Sequence, residues 1–125
     1  MQRETAKRLL DAHTACEEIA HFTAGKSQAT ILTDRGLQLI LQTLVSTIGE
    51  ALGHLRRADP GVAATIPDLH RFVGMRNQIV HGYDSIDYLI VWKVATVDVP
   101  QLEIILTRLM NARDPDETWE EPKQR

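Results

Sequence analysis

Apolar side chains recur along this chain at intervals of three and four, the spacing that gathers them on one face of an α-helix. No stretch alternates with the period of two that a half-buried strand needs. The pattern predicts an all-α domain, a helical bundle of about five helices. The first covers about residues 3–22, with Ala6, Leu9, Leu10, His13, Cys16, Ile19 and Ala20 on one side. A break at Ala24-Gly25-Lys26-Ser27 precedes a long second helix, about 34–58, carrying Leu37, Ile40, Leu41, Leu44, Ile48, Leu52 and Leu55. Gly36, Gly49 and Gly53 lie inside it, where each costs up to ~1 kcal/mol of intrinsic propensity, and the reading is that they permit close packing of another helix.

Asp59-Pro60-Gly61 is expected to stop the second helix, because proline favours a turn and glycine tolerates positive φ. A third helix is expected from Pro67, whose missing N–H is tolerated in a first turn, to about Val80, with a break at Gly82. A fourth is expected over about 86–96, capped by Asp84 or Ser85, and a fifth over about 99–112, where Asp98 and Gln101 are spaced like a capping box.

A chain of 125 residues suits one domain. The formal net charge of −3 argues against a polyanionic partner until its distribution is considered. The stretch from 114 carries five of the 17 acids and two of the 14 bases, leaving a balanced body with twelve of each. The expected division is a helical domain, 1–113, and an acidic tail, 114–125, bracketed by Pro115 and Pro122. Any basic groove must then be local, and Arg56-Arg57 and the pair Arg71 and Arg76 are the candidates. The lone Cys16 has no internal disulfide partner, and no apolar run approaches the ~18 residues of a membrane span. These features lead to the expectation of a cytoplasmic protein with no membrane attachment.

The chemistry concentrates on the third helix. Arg76 falls inside the stripe Leu69, Phe72, Val73, Ile79 and Val80, where a leucine would pack. An arginine buried there without compensation costs several kcal/mol, so it calls for a carboxylate, an anion at a subunit interface or a phosphate. His81 lies five residues on, and on an unbroken helix that places it about 140° around from Arg76. Asn77, four before His81, shares its face. Gly82 can end the helix at the left-handed position, which leaves His81 beside the negative helix end, a place that suits an imidazole required to carry a proton. Tyr83 follows immediately. Spacing alone is weak evidence, since Arg8 and His13 repeat it without the amide, glycine or tyrosine.

His13, Glu17 and His21 recur along the first helix near Cys16, but ligands spread over two turns of one helix do not converge by themselves, so no metal is expected. Cys16 reads as a small core residue, and Trp92 and Trp119 as packing or tail contacts. There is no glycine-rich phosphate loop, and no cofactor is expected.

The segment Arg76-Asn77-Gln78-Ile79-Val80-His81-Gly82-Tyr83 resembles the Arg-x4-His-x-Tyr motif of HepT-like toxins in the HEPN superfamily of ribonucleases. Ile48-Gly49-Glu50-Ala51, the stretch 87–92 and Val99-Pro100-Gln101-Leu102 are similar to the same family's layout. The resemblance implies a homodimer, with higher assembly left open, whose two motifs line one cleft and cleave RNA without metal by attack of the 2′-hydroxyl. It implies that Arg76 binds the scissile phosphate, His81 transfers protons and Asn77 orients substrate or imidazole. It further implies a toxin-antitoxin pair, in which a nucleotidyltransferase antitoxin of the MntA type adenylylates Tyr83. The alternative is a non-catalytic helical subunit that binds a nucleotide or the transferase.

Overall fold

Every regular element of the computed structural model, which describes residues 1–82 and 86–112, is helical. The first helix, α1 (Arg3–Thr23), and the long α3 (Arg35–Ala58) have the extents expected from their apolar periodicity. Asp34 starts α3 by accepting the Leu37 N–H at 3.0 Å, a cap worth about 1 kcal/mol. The break between them is not all loop. A short α2 (Gln28–Thr33) forms there, begun by a reciprocal cap between Ser27 and Thr30. The sequence signal for it was muted because threonine replaces the Glu or Gln that usually completes such a cap.

Asp59 ends α3 and opens the single turn α4 (Pro60–Ala63), accepting the Val62 N–H at 3.1 Å. The next helix, α5 (Leu69–His81), starts two residues later than Pro67 suggests. Asp68 adopts the left-handed conformation at φ 60°, which α-helical backbone cannot contain, so Pro67 stays outside. At the other end Gly82, at φ 63°, closes α5 as expected.

The expected fourth and fifth helices are one continuous rod. It comprises α6 (Tyr88–Lys93), a π-helical segment (Val94–Asp98) and α7 (Val99–Asn111). Asp87 caps its start through the N–H groups of Leu89 and Ile90. The capping box at Asp98 and Gln101 does not form: Asp98 has helical dihedrals, and its carboxylate accepts from Arg71 Nη2 at 3.4 Å. Pro100 cannot donate to a carbonyl one turn back, and the widened π turn ahead of it accommodates that loss without ending the helix. Asp84 and Ser85, the other capping candidates, lie outside the described residues, as do Tyr83 and the stretch 113–125 with Trp119 and the acidic tail.

The long α3 is flanked by α1 on one side and α5 on the other, and α7 packs along α1. Leu9 and Ile19 of α1, Leu41, Ile48, Leu52 and Leu55 of α3, and Val91, Val99 and Leu106 of the rod are fully buried. Thr5 is the buried polar side chain among them, and its hydroxyl donates to Asp59 Oδ2 at 2.9 Å. Tyr88 fastens the rod to α3 by donating to Gln42 Oε1 at 2.6 Å and accepting from Arg35 Nη1 at 2.9 Å. Among the described residues no helix is long and apolar enough to cross a membrane.

Candidate functional site

The motif on α5 is positioned by a glycine on α3. A Cβ built on Gly49 would lie well inside 3.0 Å of both the Arg76 Cβ and the Phe72 carbonyl oxygen, so only glycine lets the two helix backbones meet here. The space at Gly53, one turn on, is looser: a Cβ there would be 3.9 Å from Val73 Cγ2 and 3.9 Å from Arg57 Nη1. Gly36 faces only Asp34 of its own cap. Of the three glycines in α3, Gly49 is therefore the one whose missing side chain sets the helix spacing.

That contact fixes where Arg76 emerges. The side chain is half-buried, and its Nε is buried with no hydrogen-bond partner. Nη1 donates to Oδ1 of the adjacent Asn77 at 3.2 Å. Among the described residues no carboxylate lies within 4.0 Å of the guanidinium, so the intramolecular ion pair that an apolar-stripe arginine invites is not made. The arginine instead borders a depression of about 350 Å³ between α3 and α5, whose rim also includes Asn77, Glu50, His54, Arg56 and Arg57.

His81 is exposed in the last turn of α5. Because α5 is unbroken from Leu69 to His81, Arg76 and His81 project about 140° apart, and His81 does not border the depression. Asn77 is placed with Arg76, its amide oxygen engaged by the guanidinium. Tyr83 lies outside the described residues. One copy thus brings Arg76 and Asn77 together and leaves His81 on another face.

The candidates on α1 separate. His21 is exposed, with its ring edge-on to Phe22 at a centroid distance of 5.2 Å. His13 meets Glu17 at 3.6 Å, and from α7 it meets Glu103 at 3.9 Å and the Thr107 hydroxyl at 3.0 Å. Donor atoms of His13, Glu17 and Glu103 come within 4.8 Å of one another. Glu103 was out of reach of sequence spacing, because it joins the group only through the packing of α7 on α1. Cys16 is fully buried, and burial, with the Glu103 and Glu17 carboxylates adding to it, pushes its thiol from 9.0 up to about 12. Such a thiol is a core side chain and not a nucleophile.

Sequence reasoning passed over His54. Its signal was the run Glu50, His54 and Arg57, which puts three polar groups on successive turns of one helix face. His54 Nδ1 accepts from Arg57 Nη2 at 2.9 Å while Nε2 faces Glu50 Oε1 at 3.8 Å.

A helical bundle that presents an uncompensated arginine and, five residues on, a histidine at a glycine-ended helix terminus agrees with the resemblance to HEPN ribonucleases. Residues 12–109 match the family described as "Ribonuclease HepT-like". The chain belongs to this family of RNA-cleaving enzymes. Two proteins of Methanocaldococcus jannaschii, named "Putative RNase MJ0125" and "Putative RNase MJ1216", are each 24% identical over 102 residues. The match spans 82% of this chain and 87% and 84% of theirs. The "Probable ribonuclease HepT" of Thermococcus cleftensis is 27% identical over 103 residues, spanning 82% of this chain and 93% of its own. No solved structure matches. Family membership favours an enzyme over the non-catalytic partner subunit.

Proposed function

We propose that the chain is a metal-independent endoribonuclease toxin that acts as a homodimer, with two copies of Arg76, Asn77 and His81 lining one cleft. The observation that carries this reading is Arg76. A half-buried guanidinium with an unpartnered Nε and, among the described residues, no carboxylate is stabilised by an anion, and a phosphodiester supplies one with oxygens suited to its planar fork. Asn77 holds the fork in place and leaves its other donors for the substrate.

RNA brings its own nucleophile. One His81 imidazole takes the proton of the 2′-hydroxyl as the 2′-oxygen bonds to phosphorus. The partner copy's imidazole, protonated, gives its proton to the departing 5′-oxygen as the P–O5′ bond breaks. The products are a 2′,3′-cyclic phosphate and a 5′-hydroxyl. The arginines stabilise the charge that gathers on the phosphorane oxygens. A two-fold axis supplies both imidazoles from one sequence, and the separation of Arg76 and His81 around α5 is consistent with a site completed across it.

Control of such a toxin falls to Tyr83. A nucleotidyltransferase antitoxin of the MntA type would join the phenol oxygen to the α-phosphorus of ATP and release pyrophosphate. The attached AMP would set a bulky anion beside the motif and exclude RNA by sterics and charge. Tyr83→Phe is expected to remain toxic when that partner is present, and rescue equal to wild type would rule the modification out as the switch.

The decisive experiment incubates the purified protein with mixed RNA in EDTA. Wild type is expected to cut and leave cyclic phosphate ends, whereas Arg76→Ala and His81→Ala lose at least a hundredfold in rate, the scale of general acid–base and electrostatic terms. RNA left intact by wild type, or cleavage that survives 2′-deoxy substitution at the scissile position, refutes the mechanism.

A further inference from the structure

The depression beside Arg76 is more basic than one phosphate requires. Arg56 and Arg57 stand on its α3 side, Arg76 and Asn77 on its α5 side, and among the described residues Glu50 is the one carboxylate on its rim. Among the described residues three guanidiniums therefore line the depression with a single acid, in a chain whose overall charge is −3. Among the described residues neither Arg56 nor Arg57 has a carboxylate within 4.0 Å.

Arg57 is also held in a direction that serves the depression. As a residue of the last turn of α3 it could lie against the helix's terminal carbonyls, the usual place for a cation at that end. It instead folds back one turn to lie beside Gly53 and donates Nη2 to His54 Nδ1 at 2.9 Å. The same ring lies between Arg57 and Glu50, with Nε2 3.8 Å from Glu50 Oε1. His54 thus holds the Arg57 guanidinium on the rim it shares with Arg76, through a contact that supplies no carboxylate.

We propose that Arg57, oriented by His54 and assisted by Arg56, forms a second phosphate subsite that binds the RNA backbone next to the phosphate at Arg76. The inference rests on the ribonuclease reading and adds to it a binding register: the strand crosses from α5 onto the end of α3. His54 and Glu50 are positioning residues. Arg57 and Arg56 are the groups that meet the backbone, so the subsite reads phosphate and not base sequence.

The test measures binding of a short, single-stranded 2′-O-methyl RNA, which lacks the internal nucleophile, by fluorescence anisotropy across a salt titration. Arg57→Ala is expected to weaken binding about tenfold at low salt and to lower the slope of log Kd against log salt by about 0.7, the release expected for one phosphate contact on a single strand. Arg57→Lys retains the slope with weaker binding, since it keeps the charge and loses the fork. His54→Ala falls between wild type and Arg57→Ala. Arg108→Ala, on α7 and remote from the depression, removes an equal charge and leaves both quantities as in wild type. Circular dichroism establishes that each variant is folded.

Three outcomes overturn the subsite. Arg57→Ala with wild-type affinity and slope, while Arg76→Ala loses binding, removes it and leaves the ribonuclease reading intact. Equal weakening by Arg57→Ala and Arg108→Ala means general attraction with no built site. A wild-type protein that neither binds this oligonucleotide nor cuts unmodified RNA removes both readings together.

Discussion

Gly49 of α3 leaves the space that Arg76 of α5 occupies: where a Gly49 side chain would lie are the Arg76 Cβ and the Phe72 carbonyl. This contact ties the packing of the bundle to the placement of the motif arginine. A methyl group at Gly49 must push α5 away, because backbone on the opposite side cannot turn aside as a flexible side chain would. Gly49→Ala is expected to cost about 1–3 kcal/mol of stability, the range for overpacking a close contact. Its loss of nuclease rate should exceed that of an equally destabilised variant elsewhere, since Arg76 is displaced. Urea unfolding followed by an RNA cleavage assay at a temperature where the variant is folded checks both, and a Gly49→Ala protein of full stability would show that the helices are not in contact.

Gly74, on the exposed side of the same helix, gives the opposite expectation. A Cβ there meets nothing within 4 Å, so alanine adds helix propensity without a clash. Gly74→Ala should raise stability by up to ~1 kcal/mol and appear as a higher Tm with unchanged cooperativity. A decrease would mean that the exposed face of α5 is covered in the working assembly.

Asp59 performs two tasks at the end of α3. Oδ1 caps α4 through the Val62 N–H at 3.1 Å, and Oδ2 satisfies the buried Thr5 hydroxyl at 2.9 Å. Asp59→Ala removes a cap and leaves a polar group dry, for an expected loss of about 2–3 kcal/mol by denaturant titration. Thr5→Val, which removes the polar group while keeping the shape, should cost less. A cost for Asp59→Ala within experimental error would show that water replaces both bonds.

The Cys16 thiol gives an alkaline signature. Its burial pushes it from 9.0 up to about 12, so between those values the folded chain keeps a proton that the unfolded chain has lost. The stabilisation is complete below pH 9 and disappears as the pH rises towards 12. Cys16→Ala should therefore show a shallower alkaline fall in stability than wild type. In native wild type the thiol should resist a disulfide reagent near neutral pH until denaturant opens the core. Rapid labelling of the folded protein would contradict the burial.

The sequence carried the helices and the motif better than it carried their relations. Periodicity located α1 and α3 because each buries a continuous apolar face, and Gly82 marked the end of α5 by its tolerance of positive φ. The join at 94–98 was hidden, since a π turn changes the hydrogen-bond register without changing the apolar spacing much, and Asp98-Val99-Pro100-Gln101 reads locally as a fresh start. At the site, the oddity of Arg76 was legible from its place in an apolar stripe. Its answer was not, because Gly49, Arg57 and His54 come from a different helix and no local spacing links them to α5.

The separation of Arg76 and His81 around α5 makes a prediction about mixtures. If cleavage requires both imidazoles, a dimer with one His81→Ala copy lacks either the base or the acid and is inactive. If each copy works alone, that dimer keeps half its activity. When equal amounts of wild-type and His81→Ala chains exchange freely, dimers with two intact copies make up about one quarter of the total under two-fold pairing. RNA cleavage should then fall to about one quarter of that given by the same total concentration of wild type, and further as the square of the wild-type fraction. Differently tagged chains allow the mixed dimer to be isolated and assayed by itself. Activity near one half in the mixture, with half-activity in the isolated mixed dimer, would place a complete site within each copy and refute the shared cleft.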